Sequence, residues 1–201
     1  MDEDELRQTR FARLKSASDA DLPALTILRA RRYLARYPDH GYAWYLLANA
    51  LIGLARYHEA EEAVSNALRL CPEERRHFPL CMMGQLYRFR GDYEKAAEWH
   101  TNAIEAAPTD TQGYIYLGGV LALQGRLREA EEVHRKATET CYEGCVDEAF
   151  FNLGLVLRAQ ERFEEAAACF REAIHLDPDY RAAKKALRDV ERCLRTRGHR
   201  F

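Results

Sequence analysis

A histidine beside glutamates on a charged helix is the first place to look for chemistry, and His58-Glu59-Ala60-Glu61-Glu62 supplies one. A zinc-protease helix needs two histidines four residues apart, so that both imidazoles reach one metal from the same helix face. Here the second position is Glu62, and the segment reads as an ordinary charged surface. Cys141 and Cys145, with His134 one helical segment earlier, come nearest to a metal cluster. Zinc wants four ligands, usually in paired short spacings, and only one close pair is present. Neither zinc nor a disulfide across that loop is expected. His100 and His134 have no carboxylate or cysteine recurring beside both, so they are not read as ligands or bases. A Gly-rich phosphate loop and a G-x-S-x-G elbow are both missing. No catalytic residue, no metal and no cofactor is expected, and the chain is not read as an enzyme.

The 201 residues, 47% apolar and 31% charged, are those of a soluble protein of one or two domains. A net charge of −2 gives no electrostatic reason to expect nucleic acid or an anionic membrane as partner. The ends differ in sign: Met1-Asp2-Glu3-Asp4-Glu5 is acidic, whereas the last residues carry Arg192, Arg195, Arg197 and Arg200. Both read as solvated termini. No run of about 18 apolar residues is present, so no membrane span is expected. A basic segment followed by an apolar one, as in a secretory signal, is also missing from the start. Six cysteines, at 71, 81, 141, 145, 169 and 193, are too scattered for a disulfide framework. A reducing cytoplasm is the simplest compartment.

What must position any site is a repeat. Ala60, Ala96, Ala130 and Ala166, each inside an Ala/Glu-rich stretch, lie 36, 34 and 36 residues apart. Pro38, Pro72, Pro108 and Pro178 follow at 34, 36 and 70, the last interval being two repeats with Tyr142 in place of a proline. The first unit places Trp44, Leu47, Ala48 and Leu51 before Ala60, Val64, Ala67 and Pro72. The second has Leu80, Met83, Gly84 and Tyr87, then Ala96, His100, Ala103 and Pro108. In the third stand Tyr114, Leu117, Gly118 and Leu121, then Ala130, His134, Ala137 and Tyr142. The fourth has Phe150, Leu153, Gly154 and Leu157, then Ala166, Phe170, Ala173 and Pro178. Large residues three and seven apart, with a small one at four, make one helical face with a notch. Ala48, Gly84, Gly118 and Gly154 are that notch, which lets a second, alanine-lined helix come close. Gly91-Asp92 and Gly125 fall between the two helices, where a left-handed turn is needed. The proline stops the second helix. Thr109 with Gln112 forms a capping box for the helix that follows Pro108.

This grammar resembles the tetratricopeptide repeat family, whose pattern is W-x2-L-G-x2-Y, then A-x3-F, then P over 34 residues. Four units in register carry the resemblance, over about residues 41 to 180. It implies an all-α fold, a right-handed α-solenoid of tandem helix-turn-helix repeats, with about eleven helices and no strand. His100 and His134 stand where the family usually has phenylalanine, and are expected to pack neutral between helices.

The units are placed at 41–74, 77–110, 111–144 and 147–180, as parts of one continuous solenoid domain. Two-residue expansions near Arg75-Arg76 and Cys145-Val146 fall between units, where loops absorb them or helices lengthen. Residues 1–40 read as an N-terminal arm and a divergent repeat-like helix pair: 5–17, then a helix from Pro23 to Tyr37. Asp21 is its cap and Pro23 lies in its first turn. Residues 181–201 read as a capping helix with a basic tail. Ala183, Leu187, Val190 and Leu194 on one face cover the last apolar surface, as a solenoid requires.

In this family the first helices line the concave face and ligands lie there. The stripe one residue away from the packing slots is therefore the expected protein-binding groove. It holds Tyr42, Tyr45, Asn49, Phe78, Met82, Gln85, Arg88, Gln112, Ile115, Tyr116, Phe151, Asn152, Arg158 and Lys185. About half of the stripe is expected to face solvent. Arg88, Arg158 and Lys185 outnumber Glu148 on it, so an acidic peptide segment is expected rather than a basic one. Some relatives clamp a chaperone's C-terminal carboxylate with lysine and asparagine. This sequence keeps Asn49 but has Tyr45, Phe78 and Met82 in other clamp slots, which argues against that ligand. The expected role is a non-catalytic adaptor or scaffold, a monomer or weak homo-oligomer, that binds another protein and neither nucleic acid nor membrane. The alternative is a structural subunit of a permanent assembly or homo-oligomer.

Overall fold

The structure, a computed structural model, describes residues 3–140 and 145–198. Cys141, Tyr142 and the tail beyond 198, on which several sequence expectations rest, lie outside the described residues. Eleven α-helices and one short 3-10 turn are found among them, with no strand. They divide into two compact units, Met1–Asp92 and Tyr93–Phe201.

The first unit holds α1 (Glu3–Asp19), α2 (Pro23–Leu34), α3 (Gly41–Gly53), α4 (Tyr57–Leu70) and α5 (His77–Phe89). The 3-10 turn Glu73–Arg75 takes up the first two-residue expansion. Its core sets Leu14 of α1, Ala30 and Tyr33 of α2, Ala48 and Leu51 of α3 and Ala60 and Val64 of α4 out of solvent. The second unit holds α6 (Tyr93–Ala106), α7 (Thr111–Leu123), α8 (Leu127–Thr140), α9 (Val146–Ala159), α10 (Phe163–Leu176) and α11 (Arg181–Gly198). Within it Leu153, Leu157, Ala166, Phe170, Ala186 and Val190 form one buried cluster through α9, α10 and α11.

The notch works by shape. At Gly154 an added Cβ would lie 2.6 Å from the Phe170 ring, and at Gly118 it would lie 2.4 Å from Nε2 of His134. Each glycine thus faces the large residue that follows four after the repeat's alanine. Where the notch is Ala48, the matching residue is the smaller Val64, and both are fully buried.

The turn between the paired helices is equally regular. Asp21, Ala55, Gly91, Gly125 and Glu161 all take positive φ, between 50° and 81°. In each, the following amide donates back to the carbonyl five residues earlier: Arg56 to Leu51 at 2.9 Å, Arg126 to Leu121 at 3.0 Å, Arg162 to Leu157 at 3.0 Å. This is the Schellman closure, which satisfies the free carbonyls of a helix end. Only two of the five positions use glycine. Ala55→Gly is therefore expected to stabilise the fold by about 1 kcal/mol, since a left-handed residue with a Cβ costs about that much. Chemical denaturation of the two proteins side by side checks it, and an unchanged or lower midpoint would show that the turn is not strained. The same geometry corrects one expectation: Asp21 does not cap α2 but closes α1, and Leu22 precedes Pro23 with no side-chain cap. A second correction concerns α7, which is capped by Asp110 rather than by Thr109. The Asp110 carboxylate accepts from the Gln112 amide at 3.1 Å.

Polar links join successive repeats. Nε1–H of Trp44 donates to the Pro38 carbonyl at 2.7 Å, and the Tyr114 hydroxyl donates to that of Pro108 at 3.0 Å. The residue that ends a first helix reaches back to an acid near the start of the preceding second helix. Arg90 pairs with Glu61 at 2.6 Å, Gln124 donates to Glu94 at 3.2 Å, and Gln160 to Glu131 at 3.1 Å. Glu131 is the most enclosed of these acids. Burial works to raise its carboxyl, but hydrogen bonds from Arg162, Arg135 and Gln160 outweigh that and hold it below the usual range.

Candidate functional site

Which side chains of the first helices are free to meet a partner follows from how much of each helix the neighbours use. A first helix packs on its own second helix and on the helices of adjoining repeats, so a narrow stripe is left over. On α3 that stripe is Tyr42, Tyr45 and Asn49, at i, i+3 and i+7. Tyr42 is 48% exposed and its ring stacks on Tyr45 at 5.8 Å. Phe11 of α1 approaches Tyr42 from the other side, at 5.9 Å between centroids. Asn49 is exposed, and its side chain makes no hydrogen bond among the described residues. On α5, Phe78 is 41% exposed, while Gln85 and Arg88 are half-buried and bonded to each other, Arg88 Nε donating at 2.7 Å. The Arg88 guanidinium also lies 4.4 Å from the centre of the Phe89 ring.

In the second unit, α7 presents Gln112 and Tyr116, both half-buried, with Gln112 Nε2 donating to the Tyr116 hydroxyl at 3.4 Å. Gly119 follows on the same side and faces open space. On α9, Phe151 is half-buried, its ring 5.0 Å from that of Tyr180 and 5.8 Å from that of Phe170. Asn152 is half-buried and, like that of Asn49, its side chain makes no hydrogen bond among the described residues. Arg158 stands 3.7 Å from Asp189 of α11. Glu148 is half-buried, and burial together with the neighbouring Asp147 raises its carboxyl above the ordinary value. Lys185 is exposed on α11.

Two residues of the expected stripe are corrected. Met82 and Ile115 are each only 7% exposed, so neither offers a surface. Ile115 belongs to a cluster with Tyr114, Ala137 and Ala149, which means that α7 spends this side chain on packing against α9. Of the cations on the stripe, Arg158 faces Asp189 and Arg88 donates to the neutral Gln85, while the Lys185 side chain has no partner among the described residues.

The chemically suggestive residues settle into structural roles. Glu59 of the His58 segment pairs with Arg56 at 2.6 Å and with Arg31 of α2. His100 and His134 are fully buried, as the family slot implies. Among the described residues no three histidine, cysteine or acidic side chains come close enough to hold a metal ion. Cys145 is exposed, and the Cys141 half of the proposed pair lies outside the described residues. Among the described residues no helix is long and apolar enough to cross a membrane.

Paired helices with a glycine notch, a left-handed turn and a repeat of 34 to 36 residues define a tandem helix-turn-helix repeat protein of the solenoid class. The comparisons agree. Tetratricopeptide repeat models match residues 22–75, 81–142 and 147–180, and the chain belongs to the tetratricopeptide repeat family. It is 31% identical over 134 residues to tetratricopeptide repeat protein 7B of Homo sapiens. That match takes in 67% of this chain but 15% of the length of the relative. Among solved structures, a thermophilic tetratricopeptide repeat protein of Thermus thermophilus superposes with a TM-score of 0.68 at 18% identity, covering 92% of this chain and 98% of its own. YrrB, described as having an unusual peptide-binding site, gives 0.59 at 24% identity, covering 86% and 87%. At these identities the structural likeness is one of fold. Proteins built from these repeats generally mediate protein–protein contacts and are generally not catalytic.

Proposed function

We propose that the chain is a non-catalytic adaptor whose first helices hold a segment of a partner polypeptide. The observation that best supports this is the pair of unengaged amides. Asn49 and Asn152 lie on the leftover stripes of first helices, flanked by tyrosine or phenylalanine, and their side chains bond to nothing among the described residues. An amide can donate and accept at once, so it suits a peptide backbone whatever its sequence. The aromatic neighbours supply rigid apolar area at low entropy cost. The YrrB comparison is in keeping with peptide binding on this fold. The partner is a protein rather than nucleic acid or membrane, and a reducing compartment suits cysteines as scattered as those at 71, 81, 141, 145, 169 and 193.

Tyr116→Ala and Asn152→Ala are each expected to weaken partner binding by about 1 kcal/mol while leaving the fold intact. The measurement is calorimetric titration of a captured partner segment against both variants and against matched changes at exposed second-helix positions, such as Glu132→Ala and Arg128→Ala. Loss of binding in the second-helix variants with none in Tyr116→Ala or Asn152→Ala would overturn the reading. A concentration-independent oligomer by light scattering would favour the structural-subunit alternative instead.

A further inference from the structure

The outer face of α11 carries charge of a single sign. Its inner face is apolar: Ala183, Ala186 and Val190 are buried, and Leu187 and Leu194 pack beside them against the α9–α10 core. On the opposite side stand Arg181, Lys184, Lys185, Arg188, Arg192 and Arg195, all exposed. At 3.6 residues per turn these positions fall within an arc of about 100° and run for about 21 Å. None of the six side chains has an ion pair or hydrogen bond among the described residues. The two acids between them flank the stripe rather than interrupt it, and both are engaged, Asp189 with Arg158 and Glu191 with Arg171.

Capping an apolar surface does not call for this. In α7 the slots matching Lys184 and Arg188 hold Tyr114 and Gly118, both buried, so polar residues there are needed only to leave the face in water. Mixed charge does that equally well, as on α8, where Arg128, Glu132, Arg135, Lys136 and Glu139 alternate. A single sign works against the helix. Arg181 with Lys185, Lys184 with Arg188 and Arg188 with Arg192 are like-charge pairs one turn apart, which destabilise a helix. Arg181 and Lys184 also place positive charge on the first turn, against the helix dipole, and the first turn holds no acid.

We propose that this stripe is a docking site for an acidic helix of another protein, lying along α11 with carboxylates spaced every three to four residues. The narrow arc favours such a linear ligand over a membrane. A flat anionic surface that touched the stripe would also meet Asp189 and Glu191 on its two flanks. The proposal shares only Lys185 with the expected groove stripe that includes Tyr116 and Asn152, and it stands whether or not that stripe binds peptide.

The test is fluorescence anisotropy of the full chain with a labelled synthetic helical peptide bearing glutamate at every third and fourth position. A twin peptide has glutamine in place of the glutamates. The glutamate peptide is expected to bind, with affinity falling as salt rises, and the twin is not. Combining Lys184→Gln, Arg188→Gln and Arg192→Gln should weaken binding about tenfold or more with an unchanged helical circular dichroism spectrum. Arg171→Gln, off the stripe, and Asn152→Ala, in the first-helix stripe, should each change it by less than about twofold. Three results would overturn the proposal: equal binding of the glutamine twin, full binding by the triple variant, or tighter binding to phosphatidylserine vesicles or duplex DNA than to the glutamate peptide.

Discussion

Gly118→Leu is expected to destabilise the protein by about 3 kcal/mol, at the top of the range for overpacking a closed core. A single Cβ at this position would already sit 2.4, 2.5 and 2.8 Å from three atoms of the His134 ring. That ring is 1% exposed and has no empty side to rotate into, so the two helices must separate. The residue next along makes the internal control. Gly119 points into open space on the same helix, so Gly119→Ala should stabilise by about 1 kcal/mol, the helix propensity difference alone. Adjacent glycines thus have opposite signs. Thermal unfolding of the two variants checks it: a Gly118→Leu midpoint equal to that of the starting protein would mean that the notch is not at 118.

The second large effect is acid sensitivity centred on His134. Burial alone lowers its pKa from 6.5 to about 4. Its Nδ1 finds no hydrogen-bond partner among the described residues. The unfolded chain takes up the proton near pH 6.5 while the folded one resists until about 4, so the contribution is intact above 6.5 and is lost as pH falls between those values. The full loss is about 3 kcal/mol, of which about 2 kcal/mol is gone by pH 5. Stability measured between pH 7 and 5 reads this group before most carboxylates titrate. His134→Phe should flatten that slope and raise stability at every pH, because Phe170 already shows that a phenyl ring fits opposite a glycine notch. If the variant retains the slope, some other group is responsible.

The repeat was open to sequence reasoning because close packing of two helices demands small and large residues at fixed positions. Gly118 with His134 and Gly154 with Phe170 could be matched sixteen residues apart before any coordinates. The turns were half legible. Gly91 and Gly125 announce a left-handed residue, whereas Asp21, Ala55 and Glu161 adopt the same φ without announcing it. They do so because the backbone closure, with its two hydrogen bonds, outweighs the strain of a Cβ there. The candidate stripe was harder to read. One residue along a helix turns the side chain by about 100°, so counting from the packing slots cannot say how much of the rest the next helix takes. Ile115 went to the α7–α9 contact and Met82 to the interior, while Asn49 and Asn152 stayed out. The basic character of α11 was visible in composition, but its confinement to one arc depends on which face Val190 and Ala186 bury.

The polar links between repeats set a rule for lengthening the array. Trp44 and Tyr114, which reach back to Pro38 and Pro108, are 70 residues apart, and so are Glu61 and Glu131 with their partners at 90 and 160. The Arg–Glu pair at the start of the second helix does not alternate in this way, being formed by Arg56–Glu59, Arg126–Glu129 and Arg162–Glu165. In the repeats between and beyond, Leu80 and Phe150 have no group to donate and Ala97 and Ala167 no carboxylate, although Gln124 reaches Glu94 three residues before Ala97. The bond from an aromatic ring to the proline carbonyl thus recurs every second repeat. Inserting one repeat alone would set two like repeats side by side, whereas inserting two together would keep the alternation.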